Sequence, residues 1–199
     1  MTFTYQPQAV KILFGAGRMQ ELAKEIQAAG LGKPGLIATG EYTSLLEHLR
    51  EDFGTENSFE FRVTEAAITP AQAVQSLQAA DVVIAIGDET TMRLAKAVAT
   101  QKSVLFILIP TTFSGIEMTI SPSSHLTTVI YDTHLFLNMP TPIIASSAMQ
   151  AMAHLIEALY ARAINPITYQ AGLQGMQAMR IGIEQYISDN SLQQAGETL

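Results

Sequence analysis

The sequence contains no cysteine and no tryptophan, and charged side chains make up only 15% of its 199 residues. Without cysteine there are no disulfides, no thiolate metal sites and no thiol nucleophile, a composition compatible with a reducing compartment. Basic residues are scarce as well. The 11 Lys and Arg stand against 18 Asp and Glu, giving a formal charge of −7, and no Lys/Arg cluster offsets it locally. That balance opposes attraction to nucleic acid and points to small-molecule or protein partners. No apolar run reaches the roughly eighteen residues of a membrane span, and the opening MTFTYQPQAVKILFG has neither a basic leader nor an apolar stretch ending in small residues. Neither span nor secretion signal is expected, and the simplest expectation is a cytoplasmic protein. What is plentiful is apolar side chain, 48% of the chain, enough for a continuous buried core.

The apolar residues fall into alternating short runs and helical stripes. Val10 to Phe14 reads as a strand, Gly15-Ala16-Gly17 as a tight turn, and Met19, Leu22, Ala23 and Ile26 as a helix face ending at Gly30. Leu36 to Ala38 predicts a second strand. Tyr42, Leu45, Leu46 and Leu49 predict a helix that ends before Gly54, and Ser58 to Val63 a further strand. Thr69-Pro70 is a helix start, because Thr caps free N–H groups while Pro at the first helical position gives up no bond it would have made. Val82 to Ile86 is the clearest strand, followed by Gly87 and the helical pattern Met92, Leu94, Ala95, Val98; Val104 to Ile109 is another, ending at Pro110. Strands apolar on both faces and alternating with helices imply an α/β fold with a covered parallel sheet. Ligands in such sheets sit beyond the carboxyl ends of the strands, here the turns 87–91 and 110–118. After about Pro140 the pattern changes to two helices, Ser146 to Ala161 and Pro166 to Ile187, then a polar tail from Ser188 to Leu199 expected to fray. Two such broad apolar faces cannot cover each other completely, so packing on the sheet domain or a homodimer is expected. The methionines at 149, 152, 176 and 179 follow helical spacing and read as core or dimer contacts.

Three segments taken together resemble one family, the iron-containing alcohol dehydrogenases and maleylacetate reductases. FGAGRMQEL at 14–22 resembles the family's entry turn, IPTTFSGIEMT at 109–119 resembles a loop after a core strand, and SSAMQAMAHLIEALYARAINPIT at 146–168 resembles the start of the helical domain. The resemblance covers residues 3 to about 187. It implies a Rossmann-like α/β domain over 1–139 and a truncated helical domain over 140–199, with NAD(P)H in the cleft of family members and iron or zinc held in many by one Asp and three His. Of those ligands this chain matches one, His154. The position four residues earlier is Gln150, a neutral amide and a poor metal ligand, and the remaining His have no counterpart here, so no bound metal is expected.

Where family members carry three glycines and a Ser after the strand matching Val82 to Ile86, this chain has Gly87-Asp88-Glu89-Thr90-Thr91. The glycines let backbone N–H groups approach the pyrophosphate. A helix terminus favours an anion by roughly 0.3 to 1 kcal/mol. A carboxylate about 4 Å from a phosphate charge opposes it by about 4 kcal/mol at an effective dielectric near 20, unless a cation intervenes. Asp88 also suits a helix cap, which occupies the same donors. Gly87 is then a vestige of a cofactor site, and no cofactor is expected.

On this reading Asp88, Glu89 and His154 are the candidates for acid/base chemistry, Asp88 and Glu89 having the plainer alternative of a cap and an acidic first turn. Thr90, Thr111, Thr112, Glu117, Gln150 and Tyr160 are candidate substrate-binding residues. Ser114 belongs to the same loop, whose Ser and Thr can equally bond their own backbone. Lys96 resembles a family lysine and reads here as solvated. His48, His125 and His134 are assigned no role. The leading expectation is a non-redox enzyme, an isomerase, dehydratase or cyclase acting on a small organic molecule; the alternatives are an NAD(P)H-dependent maleylacetate reductase-like or alcohol dehydrogenase-like oxidoreductase, and a non-catalytic binding or scaffold partner.

Overall fold

In the computed structural model the described residues are 2–6, 9–30, 32–39, 42–54, 59–63, 69–119, 125–136, 139–162 and 164–189. They divide into two compact units, one of residues 9–111 and 116–132, the other of residues 1–8, 112–115 and 133–199.

The first unit is a six-stranded, wholly parallel sheet. Its strands are β1 (Lys11–Phe14), β2 (Pro34–Thr39), β3 (Phe59–Val63), β4 (Val82–Gly87), β5 (Leu105–Pro110) and β6 (Leu126–Tyr131), in spatial order β1-β6-β5-β4-β2-β3. Helices α1 (Leu22–Ala28), α2 (Thr43–Phe53), α3 (Pro70–Ser76) and α4 (Glu89–Lys102) alternate with the strands. This is the α/β alternation that the apolar runs imply. Every residue of β4 is buried, as are 106–110 of β5, which is why these two stretches read as unbroken apolar runs rather than alternating ones. Ile37, Leu77, Val83, Met92, Val98, Leu108 and Val129 belong to one core cluster. Gly35 is where β2 comes closest to the end of α3: a Cβ there would stand 2.9 Å from that of Ala80.

Local signals place the helix starts. Thr69 accepts from the Gln72 N–H, and Gln72 Oε1 accepts from the Thr69 N–H at 2.9 Å, a reciprocal cap with Pro70 next in line. β6 has no counterpart among the expected strands. Thr127 and Thr128 break its apolar run, and only its lodging between β1 and β5 reveals it.

The second unit carries α5 (Thr141–Leu159) and α6 (Pro166–Asp189). α5 begins five residues before the expected Ser146, since the fixed φ of Pro140 and Pro142 suits a helix entry. The two helices run antiparallel: Thr141 and Tyr186 hydroxyls meet at 2.7 Å, and built Cβ atoms at Gly172 and Gly175 would fall 2.9 Å from Leu159 Cδ2 and 3.1 Å from Leu155 Cδ2. Glycine therefore sets how closely α6 lies on α5. Asn165 caps α6, its Oδ1 accepting from the N–H groups of Ile167 and Thr168 at 3.0 Å each. Ser188 and Asp189 close α6, and the tail from 190 lies outside the described residues. No helix among the described residues is long and apolar enough to cross a membrane.

Candidate functional site

The connection from β2 runs outward to β3, whereas the chain leaving β4 turns the other way to β5 and β6. In an open parallel sheet the crevice for a ligand lies beyond the carboxyl ends of the two strands where the winding reverses. Those strands are β2 and β4, paired through Ala38 and Ile86, so Gly87 sits at the mouth of the crevice. Gly87 has φ +150°, a conformation that residues with a Cβ rarely adopt. The turn into α4 thus depends on this one glycine.

Asp88 caps α4. Its Oδ1 accepts from both the N–H and the hydroxyl of the buried Thr91 at 3.0 Å. Glu89 reaches back along the helix to Arg93, whose Nε and Nη2 lie 2.8 Å and 2.6 Å from its Oε1. Thr90 is exposed in the same first turn. Thr111, at the end of β5, is buried and donates its N–H to the Gly87 carbonyl at 2.9 Å. The structure therefore gathers Gly87, Asp88, Glu89, Thr90 and Thr111 at the carboxyl ends of the interior strands β4 and β5.

Glu117 lies in a short 3-10 turn, Ile116–Met118, and is buried. Its Oε1 accepts from the Tyr131 hydroxyl at 2.7 Å while Oε2 is buried without a hydrogen-bond partner. Burial pushes the Glu117 carboxyl above its ordinary value, against the opposing pull of the Tyr131 bond and the Lys96 charge. Burial raises the Tyr131 phenol as well, and the Glu117 charge and hydrogen bond push it in the same direction. Lys96 departs from its expected solvated state. Half-buried on α4, its ammonium donates to the carbonyls of Ile116 and Thr119, and burial lowers its pKa. A stem long enough to reach across to another element decides this, and sequence spacing does not show it.

Thr112, Gln150, His154 and Tyr160 belong to the second unit. His154 projects from α5 with its side chain 54% exposed and Nδ1 3.9 Å from Glu157 Oε2. Tyr160 closes α5 and is largely exposed, and Gln150 is half-buried. Asp132 has no counterpart among the sequence candidates. It is buried just beyond β6, and its two oxygens accept from the Gly17 and Met19 N–H groups at 2.9 Å and 2.8 Å, fixing the turn after β1. No sequence signal marks it, since the strand it follows is itself not expected from the sequence.

Comparison with known proteins agrees with this geometry. The family model for iron-containing alcohol dehydrogenases matches residues 9–135. Maleylacetate reductase 1 of Rhodococcus opacus is 32% identical over 210 residues, covering 95% of this chain and 58% of its own. The crystal structure of maleylacetate reductase from Agrobacterium tumefaciens superposes with a TM-score of 0.89 at 30% identity, covering 100% of this chain and 62% of that one. Sulfoacetaldehyde reductase from Bifidobacterium kashiwanohense, solved in complex with NAD+, shares the fold with a TM-score of 0.85 at 19% identity, covering 100% and 64%. The chain thus spans less than two thirds of the length of these relatives.

These matches correct the expectation of no cofactor: the matching family is iron-containing by name, and a protein of this fold was solved with NAD+. The charge argument behind that expectation overlooked the cation it named as its exception. Arg93 neutralises Glu89, and Asp88 shares its charge with the Thr91 donors, so the first turn of α4 carries one net acid rather than two. Gly87, without a Cβ at φ +150°, places no side chain in the way there, so a dinucleotide is compatible with the residues of this turn. The residues present do not by themselves complete an iron site. His154 supplies one imidazole, and no group of three or more His, Cys, Asp or Glu that could hold a metal ion occurs among the described residues.

Proposed function

The chain belongs to the iron-containing alcohol dehydrogenase family, and from that premise we propose that it is an NAD(P)H-dependent oxidoreductase of the maleylacetate reductase kind, acting on a small keto acid or aldehyde. The observation that carries this reading is the turn at the end of β4: a glycine at φ +150° at the point where the strand order reverses, leading into a helix in whose first turn Glu89 is paired with Arg93 and Asp88 keeps the one net negative charge. The comparisons favour this reading over the isomerase, dehydratase or cyclase expected from the sequence, and that reading is set aside.

When bound, NAD(P)H would supply a hydride to an electrophilic carbon of the substrate, a carbonyl carbon or the alkene carbon conjugated to one as in maleylacetate, and the oxygen or carbon left negative would take up a proton. In this reading Gly87 lets the pyrophosphate come close to the backbone, and the exposed Thr90 offers a hydroxyl to it. Thr111, tied to the Gly87 carbonyl, holds the end of β5 against the cofactor turn. Thr112 and Gln150 are assigned to orienting the substrate and Tyr160 to its binding. His154, an exposed imidazole, is the candidate proton donor. Residues 1–139 are assigned to the dinucleotide-binding domain and 140–199 to the beginning of a helical domain. Met149 and Ile156 on α5 with Ile167 and Leu173 on α6 are exposed apolar side chains that suit a homodimer. A cytoplasmic location completes the proposal.

Titration of NADH and NADPH fluorescence tests it. Binding within the range of about 1 μM to 1 mM is expected for one of the two, with oxidation of the reduced cofactor on adding maleylacetate. Arg93→Ala, which removes the ion pair to Glu89 and one positive charge from the turn, is expected to weaken that binding several-fold, more at low salt than at high. No binding of either dinucleotide up to about 1 mM overturns the reading.

A further inference from the structure

Glu117 and Lys96 are not accounted for by the cofactor turn. A carboxylate with 2% exposure and one oxygen without a partner costs stability. Their placement shows what is gained. The segment 111–119 leaves the end of β5, and its two ends are tied to a single piece of the sheet unit. At its start the Thr111 N–H is bonded to the Gly87 carbonyl, and at its end the Lys96 ammonium bridges the Ile116 and Thr119 carbonyls, the latter at 2.8 Å. Gly87 and Lys96 both belong to the β4–α4 element. Tyr131, from β6, closes the arrangement by holding Glu117 Oε1 at 2.7 Å, which turns the Glu117 side chain inward and keeps the 3-10 turn wound.

We propose that Lys96, Glu117 and Tyr131 are positioning residues, a partly buried tether that fixes the two ends of the segment 111–119 to the strand and helix carrying the cofactor turn, so that substrate and dinucleotide share one frame. The proposal rests on the oxidoreductase reading for its purpose but not for its structure. Lysine is suited to the task because its three donors allow one ammonium to bridge two carbonyls, and a neutral side chain of similar length cannot. Geometry of this kind affects turnover strongly, since a displacement of about 1 Å of a group that orients a reactant can cost on the order of a hundredfold.

The test compares Lys96→Met, Lys96→Arg and Tyr131→Phe in the full 199-residue chain. Lys96→Met is expected to raise KM for the carbonyl substrate by about tenfold or more and to lower kcat, while NADH affinity changes by less than about threefold. Lys96→Arg, which keeps charge and donors, is expected to recover most of the loss, and Tyr131→Phe to move the same constants in the same direction by less. Hydrogen exchange supplies the structural arm: the backbone amides of 111–119 lose protection in Lys96→Met and regain it in Lys96→Arg, with β4 unchanged. The proposal is overturned if Lys96→Met keeps kcat/KM within about twofold of the parent, or if it weakens NADH and substrate equally while protection falls throughout the sheet. Absence of NADH binding by the parent chain sinks the oxidoreductase reading and the assigned purpose with it; unchanged exchange at 111–119 in a parent that does bind NADH sinks the tether alone.

Discussion

The two units differ in how much of their apolar surface they bury for themselves. In the sheet unit β4 is buried along its whole length, and the polar groups at the strand ends find partners across long stretches of sequence. In α5, a helix of 19 residues, only Ile144, Ser147 and Ala148 are buried, while Ile143, Met149 and Ile156 stay exposed. The contrast shows two kinds of apolar residue under one composition: those that complete a core within the unit and those left for a further surface. A sum over the chain hides this, because 48% apolar content describes both.

The largest effect that sharpens the comparison is expected in the sheet. Ile84→Ala, at a fully buried site on β4, should lower unfolding stability by about 2 to 5 kcal/mol, whereas Ile156→Ala on α5 should change it by less than about 0.5 kcal/mol. Urea unfolding of both variants measures the difference, and equal losses would break the contrast. Next comes Asp132→Ala, which leaves the N–H groups of Gly17 and Met19 without their acceptor and is expected to cost about 1 to 3 kcal/mol, with faster hydrogen exchange at those two amides. If the exchange there is unchanged, Asp132 does not hold the turn.

The smallest expected effect concerns pH. Glu117 is raised above its ordinary value of 4.5, chiefly by burial, with Lys96 and Tyr131 facing it and Arg93 acting on Lys96. A carboxyl raised on folding binds its proton more tightly in the folded state, so its contribution is fully present below 4.5 and is lost as pH rises through the elevated folded value. Glu117→Gln should therefore flatten the decline in stability of the parent above that pH, measured by urea unfolding at a series of pH values. Parallel profiles for the two proteins would show that Glu117 titrates normally.

Much of the fold was legible in the sequence. The runs at Val82 to Ile86 and Val104 to Ile109 are strands within one residue of the expected bounds, and Thr69-Pro70 does start a helix. The turn Gly87–Thr91 is legible as a strand end followed by a capped helix start, whereas the expectation of no cofactor drawn from its charges is corrected by the relatives. Glu89 and Arg93 stand four residues apart, a spacing at which helical side chains meet, so that ion pair was readable and its omission led to the mistaken expectation of no cofactor. Tyr131, Lys96 and Asp132 were not readable in the same way, because each meets a partner from a different element.

What the sequence determined by itself is local: strand and helix periodicity, the caps at Thr69 and Asp88, and the need for glycine at position 87, all set by interactions within a few residues. The tertiary structure alone decided the order of the strands, the bond between Gly17 and Asp132 across 115 residues, and the tie from α4 to the Ile116–Met118 turn. Those contacts depend on which strand ends come to lie side by side, and in a parallel sheet that is set by how the whole chain crosses over, which no short window of residues contains.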